Sequence, residues 1–277
     1  MKAIVEIKGG FGNQIFQYSF AYHLKTQGYR VTVNINKSNA QRFPLSSNYF
    51  GFQESSKFEV GLYNFFYYVS QKNVFNNSIN KLIKKVFTKV YNLESFSSKE
   101  KRYFNHFDGY WQNVDFIKNQ EDYLIESLMN MQAIKDNLEH NIQPGKTLVH
   151  VRRGDYVSVG EGLNIKFYEE AIRYSKQLIK GFSFEVFTDD IAWVGEQDIF
   201  NQATAIHGPK DNLDDLLIDI TKMFSCENFI IGNSTLSLIP ALLTKSKSPL
   251  VIVADPWMKN SKQDLNFKKS WIKIKNI

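Results

Sequence analysis

Cysteine is almost missing from this chain of 277 residues, with Cys226 standing alone. One thiol excludes an internal disulfide and any thiolate zinc cluster, and it fits a reducing compartment. Cys226 also has no basic neighbour in sequence to lower its pKa, so it reads as a small core residue. Long apolar runs are missing as well. No stretch approaches the roughly 18–20 residues that span a bilayer, and the mean hydropathy is −0.34. The first residues, MKAIVEIKGGFGNQ, carry Glu6 and reach glycine before a signal-like apolar core can form. The expectation is a cytoplasmic protein. Nor is there a complete dinucleotide fingerprint. Gly10-Phe11-Gly12 supplies two glycines of G-x-G-x-x-G, but Ile15 takes the third place, and Asn34 and Asn36 end the next strand where an acid would hold a ribose. This argues against a nicotinamide or flavin cofactor.

What is present is a globular composition, 43% hydrophobic and 15% aromatic, with a net charge of +6. The charge is uneven. From Lys259 to the end, Lys259, Lys262, Lys268, Lys269, Lys273 and Lys275 face one acid, Asp264. A second stretch interleaves Lys81, Lys84, Lys85 and Lys89 with apolar residues. No nucleic-acid motif accompanies them. The patches suit an anionic membrane surface or a phosphate-rich substrate, or they simply keep the protein soluble. Trp271, Ile272, Ile274 and Ile277 among the tail lysines favour peripheral contact with an anionic membrane.

The pattern is α/β. Ala3–Ile7 reads as a strand, Gly9–Gly12 as a turn, Asn13–Gln27 as a helix that Gly28 can end, and Arg30–Ile35 as a second strand. Residues 44–93 are aromatic and Asn-rich, and read as helices with long connections. Gln143-Pro144-Gly145 is the strongest boundary signal. Beyond it, strands at 147–152, 184–187, 203–206, 228–231 and 250–254 alternate with helices at 166–180, 213–224 and 235–243, as parallel βαβ units do. Two α/β domains are expected, 1–144 and 145–277.

Four segments carry chemistry. The glycine turn before Asn13 sets N–H groups and an amide at a helix N-terminus, where phosphate binds or where Asn13 is simply the N-cap. His150-Val151-Arg152-Arg153-Gly154-Asp155 lies at the carboxyl end of a strand. Period-two alternation puts His150 and Arg152 on one face, so Arg152 can fork onto a diphosphate while Arg153 ties Asp155 or the opposite layer. Asp189 and Asp190 end another strand and can accept two N–H bonds from a guanine edge, or cap a helix. Asn233-Ser234-Thr235 sits where a strand passes into a helix, with hydroxyls and N–H groups for phosphate. His23 and His207 have no metal-like partners in sequence.

Taken in order, Gly10-Phe11-Gly12-Asn13-Gln14-Ile15-Phe16-Gln17-Tyr18, Gly109-Tyr110-Trp111-Gln112, His150–Tyr156, Phe187–Asp190 with Trp193, Asn233–Thr235 and Pro256-Trp257 resemble the bacterial α-1,2-fucosyltransferases of glycosyltransferase family 11. The resemblance runs nearly end to end. It implies a GT-B-type fold of two Rossmann-like domains facing a cleft, the first on the acceptor side and the second binding GDP-β-L-fucose. It implies an inverting, metal-independent transfer of L-fucose, with no cofactor, to the 2-hydroxyl of a terminal galactoside of an O-antigen or capsule. The acceptor is then lipid-linked at the inner face of the cytoplasmic membrane. A same-fold transferase for another nucleotide deoxysugar, or an idle GDP-sugar binder, are the alternatives.

Carried over residue by residue, Arg152 holds the β-phosphate and His150 lines the nucleotide site. Asp189 or Asp190 meets guanine, Asn233, Ser234 and Thr235 meet the phosphates, and Gly12, Asn13 and Gln14 meet the donor from the other domain. Tyr110 and Trp111 are expected to stack on the acceptor, with core packing as the alternative for Trp111. No base stands out; Asp155, Asp108 and Glu54 are candidates. One departure is visible. Where the family continues with Phe-Ser-Trp-Trp, this chain has Leu236-Ser237-Leu238-Ile239, which changes either packing or the sugar-facing wall.

Overall fold

The protein is seen in a computed structural model that describes residues 1–35, 43–72, 77–92, 96, 102–137, 142–260 and 265–276. Asn36, Lys262, Asp264 and Ile277 lie outside the described residues. The chain divides into two compact units, Met1–Ser127 and Leu128–Ile277.

The first unit is a parallel sheet with helices. Strand β1 (Lys2–Ile7) is nearly all apolar and buried, and leads through Gly9, at φ +80°, into α1 (Phe11–Thr26). Gly10, rather than Asn13, is the N-cap: the chain is already helical at Phe11, so Asn13 falls in the first turn. Gly28, at φ +83°, ends this helix in the left-handed conformation that glycine adopts without strain. Then follow β2 (Arg30–Ile35), α2 (Lys57–Lys72), α3 (Asn77–Val86), β3 (Phe87–Val90), β4 (Phe104–Phe107), α4 (Val114–Lys118) and α5 (Glu121–Met129). The sheet order is β2-β1-β4-β3, every pair parallel.

The second unit opens with α6 (Gln132–Asn137) and the long central strand β5 (Gln143–Val151). The Pro144-Gly145 signal therefore marks no linker. It lies where the register of β5 against its neighbour slips, a place where proline costs no ladder bond. Next come α7 (Gly154–Ser158), α8 (Ile165–Leu178), β6 (Ser183–Thr188), α9 (Ile191–Gly195), β7 (Ala205–His207), α10 (Leu213–Phe224), β8 (Cys226–Ile230), α11 (Thr235–Leu243), β9 (Val251–Asp255) and β10 (Ile272–Lys275). Sheet order is β10-β9-β8-β5-β6-β7, again all parallel. Counted from β5, that is the doubly wound order 3-2-1-4-5-6.

The tail corrects a sequence expectation. Ile272–Lys275 is an edge strand, with Trp271 and Ile274 buried and Ile272 packed against the core. Its lysines point outward, as edge strands require. These three apolar residues are spent on the fold and are not free to enter a bilayer.

Candidate functional site

In an open parallel sheet, ligands bind beyond the carboxyl ends of the strands, where the order reverses. In the second unit that point lies between β5 and β8. The loops leaving these two strands carry Arg152–Asp155 and Gly232–Ser234, so topology alone brings two of the sequence motifs together.

Strand β5 stops at Val151, and carboxylates set the direction of both arginines. Arg152 Nη2 lies 2.7 Å from Asp155 Oδ1, and Nη1 lies 2.8 Å from Asp189 Oδ2. The Arg153 backbone N–H donates to Asp189 Oδ1 at 2.8 Å. Its side chain instead meets Asp190 Oδ2 at 3.2 Å and lies 4.0 Å over the Trp193 ring. Of the two expectations for Arg153, Asp155 or the opposite layer, the first does not hold: Asp155, in the first turn of α7, is reached by Arg152. Gly154 leaves room here: a Cβ would stand 2.6 Å from Asp189 Oδ2 and push that carboxylate off Arg152. Asp190 caps α9 by accepting the Trp193 N–H at 3.0 Å. In this state both acids of the Asp189-Asp190 pair face arginines.

His150 is buried, and its Nδ1 lies 2.9 Å from Ser237 Oγ on α11. Burial, helped by the charge of Arg152, pushes its pKa down to about 3, so the ring is neutral. Ser234 is the N-cap of α11, accepting the Leu236 N–H, and Thr235 opens the helix. Asn233 donates to the Glu161 carbonyl at 2.8 Å, while its buried Oδ1 has no partner among the described residues. The buried Glu161 carboxylate accepts the N–H groups of Lys259 and Asn260 at 2.7 and 2.8 Å. It fixes the loop that follows β9. Sequence reading missed Glu161; an acid between two glycines, Gly160 and Gly162, was the available signal.

In the first unit the reversal falls between β1 and β4. Here the Gly9–Asn13 turn meets the Asp108–Gln112 loop. Gln112 donates to Asn13 Oδ1 at 2.7 Å. Gln17, another residue that sequence reading gave no role, bridges the two loops: it accepts the Lys8 N–H and donates to the Gly109 carbonyl. Gly12 is buried in the first turn of α1. Gln14 is not available to a ligand. Its amide donates to the carbonyls of Gly9 and Phe43 and accepts the Leu45 N–H.

Trp111 is corrected too. Its side chain is 2% exposed and stacks on Phe20 at 4.2 Å, so it belongs to the core. Gly109 permits that packing, since a Cβ would lie 3.1 Å from the Trp111 ring, and also lets the Tyr91 carbonyl approach, which a Cβ would meet at 2.3 Å. Tyr110 remains exposed, beside Lys8.

The candidate bases fare differently. Burial alone would raise the pKa of Asp108, but Lys8 at 2.6 Å and Lys89 at 3.2 Å outweigh it and hold the carboxyl below its ordinary value. That makes it a poor base. Glu54 lines a cavity of about 450 Å³ with Lys2, Ile4, Arg30 and Phe104, near the starting ends of the strands and away from the reversal point. Asp155 is exposed, and Arg152 claims it. Cys226 is buried and its pKa is pushed up to about 12, as a core thiol's should be. Among the described residues, no three His, Cys, Asp or Glu side chains form a metal-holding group.

A family model described as Glycosyl transferase family 11 matches residues 2–275. The chain belongs to that family. Among curated relatives, this family 11 glycosyltransferase is 28% identical to an alpha-1,2-colitosyltransferase of Escherichia coli, over 98% of each chain. It is 26% identical to the O-antigen biosynthesis glycosyltransferase WbnK of Escherichia coli, over 97% of this chain and 99% of the other. Among solved structures, fucosyltransferase NodZ from Bradyrhizobium matches with a TM-score of 0.51 at 15% identity, over 88% of this chain and 92% of that one. The likeness at that identity concerns the fold. Two Rossmann-like parallel units make it the GT-B type. Among the described residues, no helix is long and apolar enough to cross a membrane.

Proposed function

We propose that this family 11 enzyme transfers L-fucose from GDP-β-L-fucose to the 2-hydroxyl of a terminal galactoside in a bacterial O-antigen or capsule, with inversion and without a metal ion. It works as a peripheral protein at the inner face of the cytoplasmic membrane, where a lipid-linked acceptor is presented. The observation that carries the reading is Arg152 at the reversal point of the second sheet, its planar fork already aligned by two carboxylates.

The chemistry follows from charge. As the anomeric bond lengthens, negative charge collects on the departing diphosphate. Arg152 meets that charge, aided by N–H groups at the start of α11. To do so it exchanges a carboxylate for phosphate, and the exposed Asp155 is the easier partner to release. Asp189 stays as the support that holds Arg152 and the Arg153 N–H. Neutral His150 contributes shape and a hydrogen bond through Ser237 without adding charge. The Oδ1 of Asn233, unpartnered among the described residues, accepts a hydrogen bond from the bound nucleotide sugar. On the first unit, Gln112 aligns the Asn13 amide for a hydrogen bond to substrate, and Tyr110 stacks on the galactoside. The acceptor hydroxyl attacks the opposite face of an oxocarbenium-like carbon, a route that demands little of a base.

A second reading has its own support. The colitosyltransferase relative points to colitose, the 3-deoxy analogue of L-fucose, as the sugar. The test is direct. The purified protein is given GDP-fucose or GDP-colitose with a panel of β-galactosides, with and without EDTA, while GDP release and product linkage are followed. Turnover of GDP-fucose to an α-1,2 product in EDTA is expected. No galactoside-dependent release from either donor would sink the proposal.

A further inference from the structure

Between residues 57 and 92 the chain holds six lysines and one acid, Glu59. Glu59 is engaged, 3.1 Å from Lys2. Within this stretch α2 turns an aromatic stripe outward: Phe58, Leu62, Phe65 and Tyr68 are 78, 44, 55 and 58% exposed. The spacing of four, three and three residues sets them on one helix face. The far side of the helix is what holds α2 in the fold, with Tyr63 buried against Phe87 and His106. Helix α3 packs against α2 and repeats the division. It buries Asn80 and Ile83, and exposes Ile79 and Leu82 among the exposed Lys81, Lys84 and Lys85.

We propose that the outward face of α2 and α3 is a docking surface for an anionic lipid bilayer. The proposal rests on the reading of the enzyme as peripheral at a membrane, and names the surface that makes the contact. Rings and branched chains that are costly to leave in water enter the headgroup boundary, while lysine stems carry their ammonium groups up to the lipid phosphates. Charge decides the occupant. A second copy would bring an equally basic face against this one, whereas an anionic bilayer complements it. Length decides the mode: α2 has 16 residues and α3 has 10, so the helices lie on the membrane. The basic C-terminal strand is a natural control, because its apolar partners Trp271 and Ile274 are buried.

The experiment is sedimentation of the full chain with phosphatidylcholine vesicles, with and without phosphatidylglycerol, and with no sugar nucleotide present. Binding to the anionic vesicles, weakened by salt, is expected. At roughly fivefold per lysine, the K81Q/K84Q/K85Q variant binds about a hundredfold more weakly, and F58S/L62S/F65S binds at least about tenfold more weakly. K268Q/K269Q/K273Q/K275Q binds like the unaltered protein. In F65W, which keeps the face apolar, tryptophan emission shifts to the blue on the anionic vesicles. The proposal is overturned if the protein ignores anionic vesicles, if the F65W emission does not move, or if only the tail variant loses binding. It is equally overturned if analytical ultracentrifugation finds a dimer that F58S/L62S/F65S abolishes. Vesicle binding without fucosyl transfer removes only the assigned activity; transfer to a soluble galactoside without vesicle binding removes only the docking surface.

Discussion

Replacing Arg152 by alanine is the sharpest test of the donor site. The side chain donates through both terminal nitrogens, to Asp155 at 2.7 Å and to Asp189 at 2.8 Å. It sits where the strand order reverses, so its loss removes a cation from the loop beyond β5 and leaves two carboxylates there. Losing a charge-assisted donor to a developing oxyanion costs about 3–4 kcal/mol, or two to three orders of magnitude in kcat. Repulsion from the freed acids should add to that. Arg152→Lys should recover little, since one ammonium cannot span both partners in the planar geometry of a guanidinium. Arg153→Ala should behave differently. It gives up a half-buried ion pair at 3.2 Å and the stacking on Trp193 at 4.0 Å, worth about 1–2 kcal/mol of stability. Its kcat should change far less. The assay pairs GDP-release kinetics with thermal unfolding of each variant. Near-normal turnover in Arg152→Ala would refute the reasoning. So would a chelator that abolishes activity which magnesium or manganese then restores.

Other outcomes follow from the same geometry. His150 is neutral when folded, with a pKa near 3 against 6.5 when unfolded; the unfolded chain therefore binds the extra proton, and stability present above pH 6.5 should drain away as pH falls toward 3. Denaturant melts across that window should flatten in His150→Asn. Trp111→Ala should lower stability by about 3–5 kcal/mol, while the exposed Tyr110→Ala leaves the melt within about 0.5 kcal/mol and raises the acceptor KM. Asp155→Asn should tighten GDP binding measured calorimetrically, because it frees Arg152, whereas Asp189→Asn should loosen it by removing the support for Arg152 and the Arg153 N–H.

Much of the fold was legible because its strands are short apolar runs ended by glycine or charge. β1, β5, β6, β8 and β9 announce themselves in this way, and the helix after Gly12 follows from its apolar face. Where reading failed, one local pattern served two physical ends. Ile272–Lys275 alternates as a half-buried edge strand must, and equally as an amphipathic tail would; only the pairing with β9 decides. Trp111 stands two residues after a glycine, a setting that also suits an exposed platform, yet that glycine makes room for the ring to turn inward onto Phe20. The strand period assigns His150 and Arg152 to one face but could not foresee that β5 ends at Val151, before Arg152. One residue beyond the last ladder position, Asp155, three residues on, and Asp189, from the end of β6, govern the side chain.

The choice between fucose and colitose turns on a hydroxyl. The residues that stand where the family carries Trp-Trp, Leu238 and Ile239, are wholly buried in α11, so this departure alters packing rather than a wall facing the sugar. Discrimination must then come from the strand-end loops, and its size reports their chemistry. A site that hydrogen-bonds the 3-hydroxyl leaves a buried polar group unpaired when the deoxy sugar enters, and rejects it by about four orders of magnitude. A site that merely has room for the hydroxyl discriminates by about a hundredfold or less. The ratio of kcat/KM for GDP-fucose over GDP-colitose therefore reads out whether a polar side chain has been committed to that position. A large ratio in either direction identifies the sugar, and a small one means that the supply of donor, more than the enzyme, decides which is used.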